Sequence, residues 1–115
     1  MLHLLRAALG LVLLCLAGAP LSAQAPYPNQ GIRLIVPFAA GGLPDTVARI
    51  TAQHLQERVG QSVVVENRPG GGAAAAVSAM MGAPADGYTF ILTDGSLVST
   101  NPALFKQLSY NPKDM

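Results

Sequence analysis

Beyond its first 25 residues, the sequence alternates between short apolar runs and helical patterns, and this alternation limits the folds open to it. Three runs of strand length, at residues 32–38, 62–66 and 88–93, are rich in apolar residues. Two stretches of helical character separate these runs, and a third, shorter one follows them. Runs that are continuously apolar indicate strands covered on both faces, as in a parallel sheet. The pattern therefore predicts an α/β fold made of βαβ units on a parallel sheet.

The first helix has the clearest pattern. Apolar residues recur at spacings of four, three and four with polar residues between them, which is typical of an amphipathic helix: Ala48, Ala52, Leu55 and Val59. Pro44 suits the first turn of this helix, and Gly60 suits its end. Residues 73–81 are alanine-rich and predict a helix that packs closely against the sheet. A short helix is expected over residues 101–105.

The first 25 residues have the features of a secretory signal peptide. Arg6 provides a positive flank, an apolar run of about ten residues follows, and small residues at Ala23 and Ala25 suit a signal peptidase. The run is too short for a membrane span, which takes about 20 residues. Cys15 suggests a lipid anchor as an alternative, but no small residue stands directly before it. We predict a cleaved signal peptide over residues 1–25 and a periplasmic location.

Composition excludes several classes of function. The chain has a net charge of +1 and only 11% charged residues, with no cluster of Lys or Arg, so we expect no nucleic-acid partner. Its one cysteine lies in the predicted signal peptide, and His54 is the only histidine beyond that segment. His54 falls on the polar side of the first helix, where a solvated role is expected. These residues assemble neither a catalytic triad nor a metal site, so we predict no enzyme, no metal and no cofactor.

Three turns follow the predicted strands, at residues 38–45, 67–73 and 93–101, and each is rich in glycine, small or hydroxyl residues. In a parallel sheet the carboxyl ends of the strands share one edge, and ligands bind there. Exposed backbone N–H groups and helix N-termini at that edge suit an anion such as a carboxylate. Alternatively, the glycines only permit tight turns and close helix packing. Both interpretations stay open.

Two further features of these turns each allow two interpretations. Residues 70–75 read GGGAAA and satisfy the dinucleotide pattern G-x-G-x-x-A, with Asp94 loosely in the place of the acid. Pro69 in the tight turn, the position after the second strand and the export signal argue against a dinucleotide. Asp45 lies in the first turn of its helix. It either supports the helix start or meets a donor group on a ligand.

Four segments in order, YPNQGIRLIVPFAAGGLPD, VGQSVVVENRPGGG, APADGYTFILT and NPALFKQLSYNP, resemble the amino-terminal part of the Bug family. These are extracytoplasmic solute receptors, the periplasmic binding proteins of tripartite tricarboxylate transporters. The resemblance runs from Tyr27 to the end of the chain. It implies that residues 26–115 form an incomplete amino-terminal lobe of a solute-binding domain, part of the first lobe of a type II periplasmic binding protein fold. It also implies a small organic anion as ligand and membrane permease subunits as partners.

The resemblance also implies site residues. In the family, the turn after the first strand and the loop after the third hold a ligand carboxylate through backbone N–H groups, hydroxyls and water. The matching positions are Phe38, Ala40, Gly41, Gly42, Asp45, Thr93, Asp94, Gly95 and Ser96. This sequence departs from the family at Ala40, where proline is more frequent, and at Leu43, which would narrow the pocket. The alternative from another class is a secreted α/β enzyme whose catalytic residues lie in sequence outside this chain.

Overall fold

The three apolar runs form the three predicted strands in the computed structural model of the chain, which describes residues 25–114. Strand β1 is Ile32–Val36, β2 is Val63–Asn67 and β3 is Thr89–Ile91. All pair in parallel, in the order β2-β1-β3. The predicted α/β fold with a parallel sheet is confirmed. The predicted signal peptide lies outside the described residues, apart from its last position.

Three α-helices and two 3-10 turns connect and follow these strands. Helix α1 is Leu43–Val59, α2 is Ala74–Met81 and α3 is Thr100–Leu104. The 3-10 turns are Gly71–Ala73, directly before α2, and Pro112–Asp114. The order strand, helix, strand, helix, strand, helix is therefore the predicted one.

Helix α1 covers one face of the sheet through small residues. Ala48 and Ala52 are buried against Leu34 and Val36 of β1, and these four form the core cluster on this face. The alanines leave room for the helix axis to approach the sheet closely, and burial of the apolar side chains holds the helix there. The helix ends at Gly60, whose φ of 70° is left-handed, a conformation that glycine adopts without steric cost.

Helix α2 covers the opposite face and packs on β1 and β3. Ala76 and Val77 are buried there, and Ile35 of β1 is fully buried. The alanine-rich sequence thus packs closely against the sheet, as predicted. Because β1 lies between β2 and β3 and has a helix on each face, it is the most deeply buried strand.

Strand β2 was predicted to be buried on both faces, but one of its faces is partly exposed. Val64 is 57% exposed, on the side of the sheet opposite α1. The same side carries an ion-pair cluster, in which Arg33 Nη2 lies 2.6 Å from Glu66 Oε2 and Arg68 pairs with the other Glu66 oxygen. The physical reason is the strand order: β2 is an outer strand, and α2 lies over β1 and β3 instead. A run of valines does not reveal which strand lies at an edge.

Candidate functional site

The turns after the three strands meet at the carboxyl edge of the sheet and enclose an open cavity of about 200 Å³, which we call the three-turn cavity. Each turn contributes to its lining: Pro37, Phe38, Gly70, Gly72, Ala73, Ser96 and Asn101. The predicted convergence of the turns is therefore confirmed. The lining residues include no charged side chain, so any anion held here meets neutral polar groups and backbone.

The glycine turn between β2 and α2 has an unusual backbone. Four successive residues have positive φ angles: Gly70 at 106°, Gly71 at 60°, Gly72 at 59° and Ala73 at 73°. Residues with a side chain rarely adopt this conformation. At Gly72 there is also no room, because a Cβ would lie 3.1 Å from the ring of Phe105. The glycine triplet is thus required by the turn itself, and Ala73 is held in a strained conformation beside the cavity.

The third turn is ordered by hydrogen bonds around Ser96. The backbone N–H of Ser96 donates to Asp94 Oδ1 at 3.0 Å, and the Ser96 carbonyl accepts from the backbone N–H of Asn101 at 2.9 Å. The Ser96 hydroxyl and backbone N–H beside Asp94 hold the pKa of that carboxyl below its usual range. Asp94 is therefore ionised at neutral pH.

Asp94 and Thr93 do not line the three-turn cavity. They border a separate, mostly apolar groove of about 230 Å³ between β3 and the start of α1, together with Leu43, Pro44, Val47 and Leu92. Leu43, predicted to narrow the ligand pocket, lines this groove. The negative charge of Asp94 thus lies outside the cavity in which three turns converge.

Asp45 is buried, with 3% of its surface exposed. Its Oδ2 accepts hydrogen bonds from the backbone N–H of Gly41 at 2.8 Å and from Arg49 Nε at 3.0 Å, and its Oδ1 accepts one from Asn67 Nδ2 at 2.9 Å. Arg49 first, then the Gly41 N–H and Asn67, lower the pKa of Asp45 to about 2. Because protein donors occupy both oxygens, the geometry favours the structural alternative, in which Asp45 fixes the turn before α1.

Asn67, the last residue of β2, was missed by the sequence prediction. Its Nδ2 donates to the carbonyl of Phe38 at 3.1 Å as well as to Asp45. One side chain therefore joins the end of β2 to the turn that follows β1. The available signal was its place at the carboxyl end of a predicted strand, where side chains from neighbouring turns meet.

The nine predicted site residues are distributed over several environments. Phe38 and Ser96 line the three-turn cavity, whereas Thr93 and Asp94 border the apolar groove. Gly41 and Asp45 are hydrogen-bonded to each other. The remaining three lie close by in the first and third turns: Ala40, Gly42 at the N-cap of α1, and Gly95. Their role as ligand-binding residues stays a prediction.

Three features of residues 25–114 bear on other kinds of site. This part of the chain contains no group of three or more metal-ligating side chains. None of its helices has the length and apolar character needed to cross a membrane. The His54 side chain is 70% exposed, as predicted, with Nδ1 3.5 Å from Glu57 Oε2.

The carboxyl edge of a parallel sheet is where α/β proteins bind their ligands, and solved structures that include a periplasmic binding protein resemble the chain. An R. palustris protein solved with adipate matches with a TM-score of 0.72 and 39% identity, over 76% of this chain and 29% of that one. The periplasmic binding protein BugD matches with a TM-score of 0.68 and 38% identity, over 75% and 28%. MatC of Rhodopseudomonas palustris with bound malate gives 0.62 and 33%, over 75% and 29%.

Sequence comparison defines the family. The model of the tripartite tricarboxylate transporter family receptor matches residues 47–115, and the chain belongs to this family. Protein BugT of Bordetella pertussis is 46% identical over 78 residues, which are 68% of this chain and 24% of that protein. A UPF0065 protein of the same organism is 38% identical over 84 residues, 73% of this chain and 26% of that protein. The chain thus spans about a quarter of the length of these relatives.

Proposed function

We propose that this chain provides part of the first lobe of an extracytoplasmic receptor that captures a small organic carboxylate for a tripartite tricarboxylate-type transporter and its membrane permease subunits. The observation that carries the proposal is the three-turn cavity, in which the turns after all three parallel strands meet. Family membership supports the receptor role. Two structural neighbours were solved with carboxylates, adipate and malate, which supports the ligand class.

The cavity suits an anion although it has no cationic side chain in its lining. Gly70 lies in the lining with open space where a side chain would stand, so a ligand oxygen can approach its backbone closely. Helix α2 begins directly after this turn, and the N-terminus of a helix carries a partial positive charge that favours a carboxylate. The nearby charge of Asp45 is compensated by Arg49, and Asp94 faces the separate groove.

A titration followed by nuclear magnetic resonance tests this proposal. The ¹⁵N-labelled 115-residue chain is titrated with adipate, and with 1,6-hexanediol as a control of the same length that lacks carboxylates. We expect amide shifts at Gly70, Gly72, Ala73 and Ser96 with adipate alone. Binding to one lobe is expected to be about millimolar or weaker, because the second half of a two-lobed site is absent. Shifts confined to the apolar groove between β3 and the start of α1, or equal shifts with the diol, would contradict the proposal.

A matched pair of substitutions tests the cavity directly. Ser96→Glu places a carboxylate in the lining, where it repels an anion, whereas Ser78→Glu makes the same change at an exposed position of α2 outside this cavity. We expect Ser96→Glu to weaken adipate binding about fivefold or more, since a like charge at contact opposes binding by about 1 kcal/mol or more. Ser78→Glu should leave affinity unchanged. Equal affinity in both variants would show that adipate does not bind in the three-turn cavity.

Export belongs to the same proposal. We propose that residues 1–25 are a signal peptide that is cleaved when the protein enters the periplasm, where receptors of this kind work. Expression in a Gram-negative host followed by mass spectrometry of the periplasmic fraction should find a mature amino terminus at Gln24 or Pro26. Recovery of the chain with Met1 intact in the soluble fraction would contradict this part of the proposal.

A further inference from the structure

Asn101 is a buried polar residue in the lining of the three-turn cavity, with 7% of its surface exposed. Its Nδ2 donates to the carbonyl of Gly72 at 2.8 Å and to the hydroxyl of Tyr110 at 3.0 Å. The Tyr110 hydroxyl in turn donates to the carbonyl of Leu97 at 3.1 Å. A carbonyl oxygen only accepts, so the bond to Gly72 fixes which end of the amide is the nitrogen.

The oxygen end of the Asn101 amide, Oδ1, differs from the nitrogen end in its contacts. Within residues 25–114, no group donates a hydrogen bond to Asn101 Oδ1, although both hydrogens of Nδ2 are used. This oxygen is not sealed away from solvent, because no fully buried side-chain nitrogen or oxygen in the described part of the chain lacks a hydrogen-bond partner. An amide oxygen that is left open in a cavity lining can accept a hydrogen bond from whatever occupies the cavity.

The chemistry of the proposed ligand determines what Oδ1 can contact. An ionised carboxylate has only acceptor oxygens, so it cannot bind another acceptor such as Oδ1. A hydroxyl or ammonium group on the same molecule can. We propose that Asn101 Oδ1 accepts a hydrogen bond from such a donor, and that this lobe therefore prefers carboxylates that carry a hydroxyl or ammonium substituent over unsubstituted ones. The inference rests on the proposed carboxylate site.

Three ligands that differ at one position test the inference in the full 115-residue chain. Succinate, malate and aspartate share a four-carbon dicarboxylate frame and carry hydrogen, hydroxyl and ammonium respectively at C2. We expect malate, aspartate or both to bind about threefold to tenfold more tightly than succinate, the range for one net hydrogen bond. The two substituted ligands show which donor fits. The Asn101 side-chain NH₂ resonances should shift with the preferred ligand and not with succinate.

Two substitutions assign the preference to Asn101. In Asn101→Ala the ratio of affinities between the preferred ligand and succinate should fall to about one. Tyr110→Phe removes one partner of Nδ2 but keeps Oδ1, so the ratio should persist even if stability falls. If Asn101→Ala does not fold, the ligand comparison and the side-chain resonances of the unsubstituted protein still show whether Asn101 contacts the donor group of the ligand.

The outcomes separate the two claims. If all three ligands bind equally in the unsubstituted chain, or if Asn101→Ala keeps the preference, the assignment to Asn101 is wrong while the carboxylate site stands. If no carboxylate binds at any concentration up to tens of millimolar, the proposed function itself fails.

Discussion

Ala73 offers the sharpest test of the backbone at the proposed site. It has a φ of 73° and is the only residue other than glycine with positive φ among residues 25–114. A left-handed conformation costs an alanine about 1–2 kcal/mol. Replacement by glycine removes that cost but makes the unfolded chain more flexible, which costs about 0.4–1 kcal/mol. We therefore expect Ala73→Gly to stabilise the fold by about 0.8 kcal/mol.

Urea denaturation followed by circular dichroism measures this difference. In thermal denaturation the same gain should raise the melting temperature by about 3–6 °C for a domain of this size. The matched control is Ala75→Gly, two residues further on in α2, where the backbone is helical and the residue is exposed. That change should cost about 0.5–1 kcal/mol, because glycine is the poorer helix former.

The opposite signs of the two alanine-to-glycine changes are the essential result. If Ala73→Gly destabilised the protein as much as Ala75→Gly, the turn before α2 would not be left-handed at Ala73. The four-residue run of positive φ that shapes the lining of the cavity would then be wrong. An unchanged urea dependence (m value) in both variants is needed, so that the shift in midpoint reports stability.

Three further predictions follow from other parts of the structure. The folded-state pKa of Asp45 is lowered from 3.8 to about 2, so its contribution to stability is complete above about pH 5 and is lost as pH falls through 2. Urea midpoints measured against pH will show this loss. Asn67→Asp puts a second carboxyl within hydrogen-bond distance of Asp45 and raises the pKa of the pair, so this variant should instead lose stability as pH rises from 4 to 7. If the stability of the variant and of the unsubstituted protein changed with pH in parallel, the contact would be contradicted. Ile35→Val should lower the free energy of unfolding by about 0.5–1.5 kcal/mol and Ile50→Val by less than about 0.5 kcal/mol, because the first side chain is fully buried and the second is 53% exposed. Equal losses in urea denaturation would contradict the packing.

The elements that sequence predicted well are those defined by local patterns. The apolar run at residues 32–38 predicted β1, although the strand itself ends at Val36 because Pro37 has no N–H to donate to a neighbouring strand. The spacing of alanines predicted the buried side of α1, and Gly60 marked its end. Each of these signals acts over a few residues of chain, so no knowledge of the fold is needed to interpret it.

Contacts between distant residues were not predictable in the same way. Asn67 and Asp45 are 22 positions apart, and Asn101 and Gly72 are 29 positions apart. Each pair forms because parallel pairing brings successive turns to one edge of the sheet. Sequence placed all these residues in or beside the right turns, but it could not show which polar side chains would be buried. The exposed face of β2 was missed for the same reason: strand order is a property of the whole sheet.

The hydrogen bonds at this edge suggest how a lobe with few charges can hold a carboxylate. Asn67 ties the first turn to the end of β2 through the Phe38 carbonyl, and Asn101 Nδ2 holds the glycine turn through Gly72. Backbone that is already fixed loses little conformational freedom when a ligand arrives, and pre-organisation of this kind strengthens binding without additional contacts. The polar groups that fix the turns are already hydrogen-bonded to each other, as the three donors to Asp45 show. If the chain holds a carboxylate as proposed, selectivity among carboxylates falls to the polar atoms left open in the lining, and Asn101 Oδ1 is such an atom.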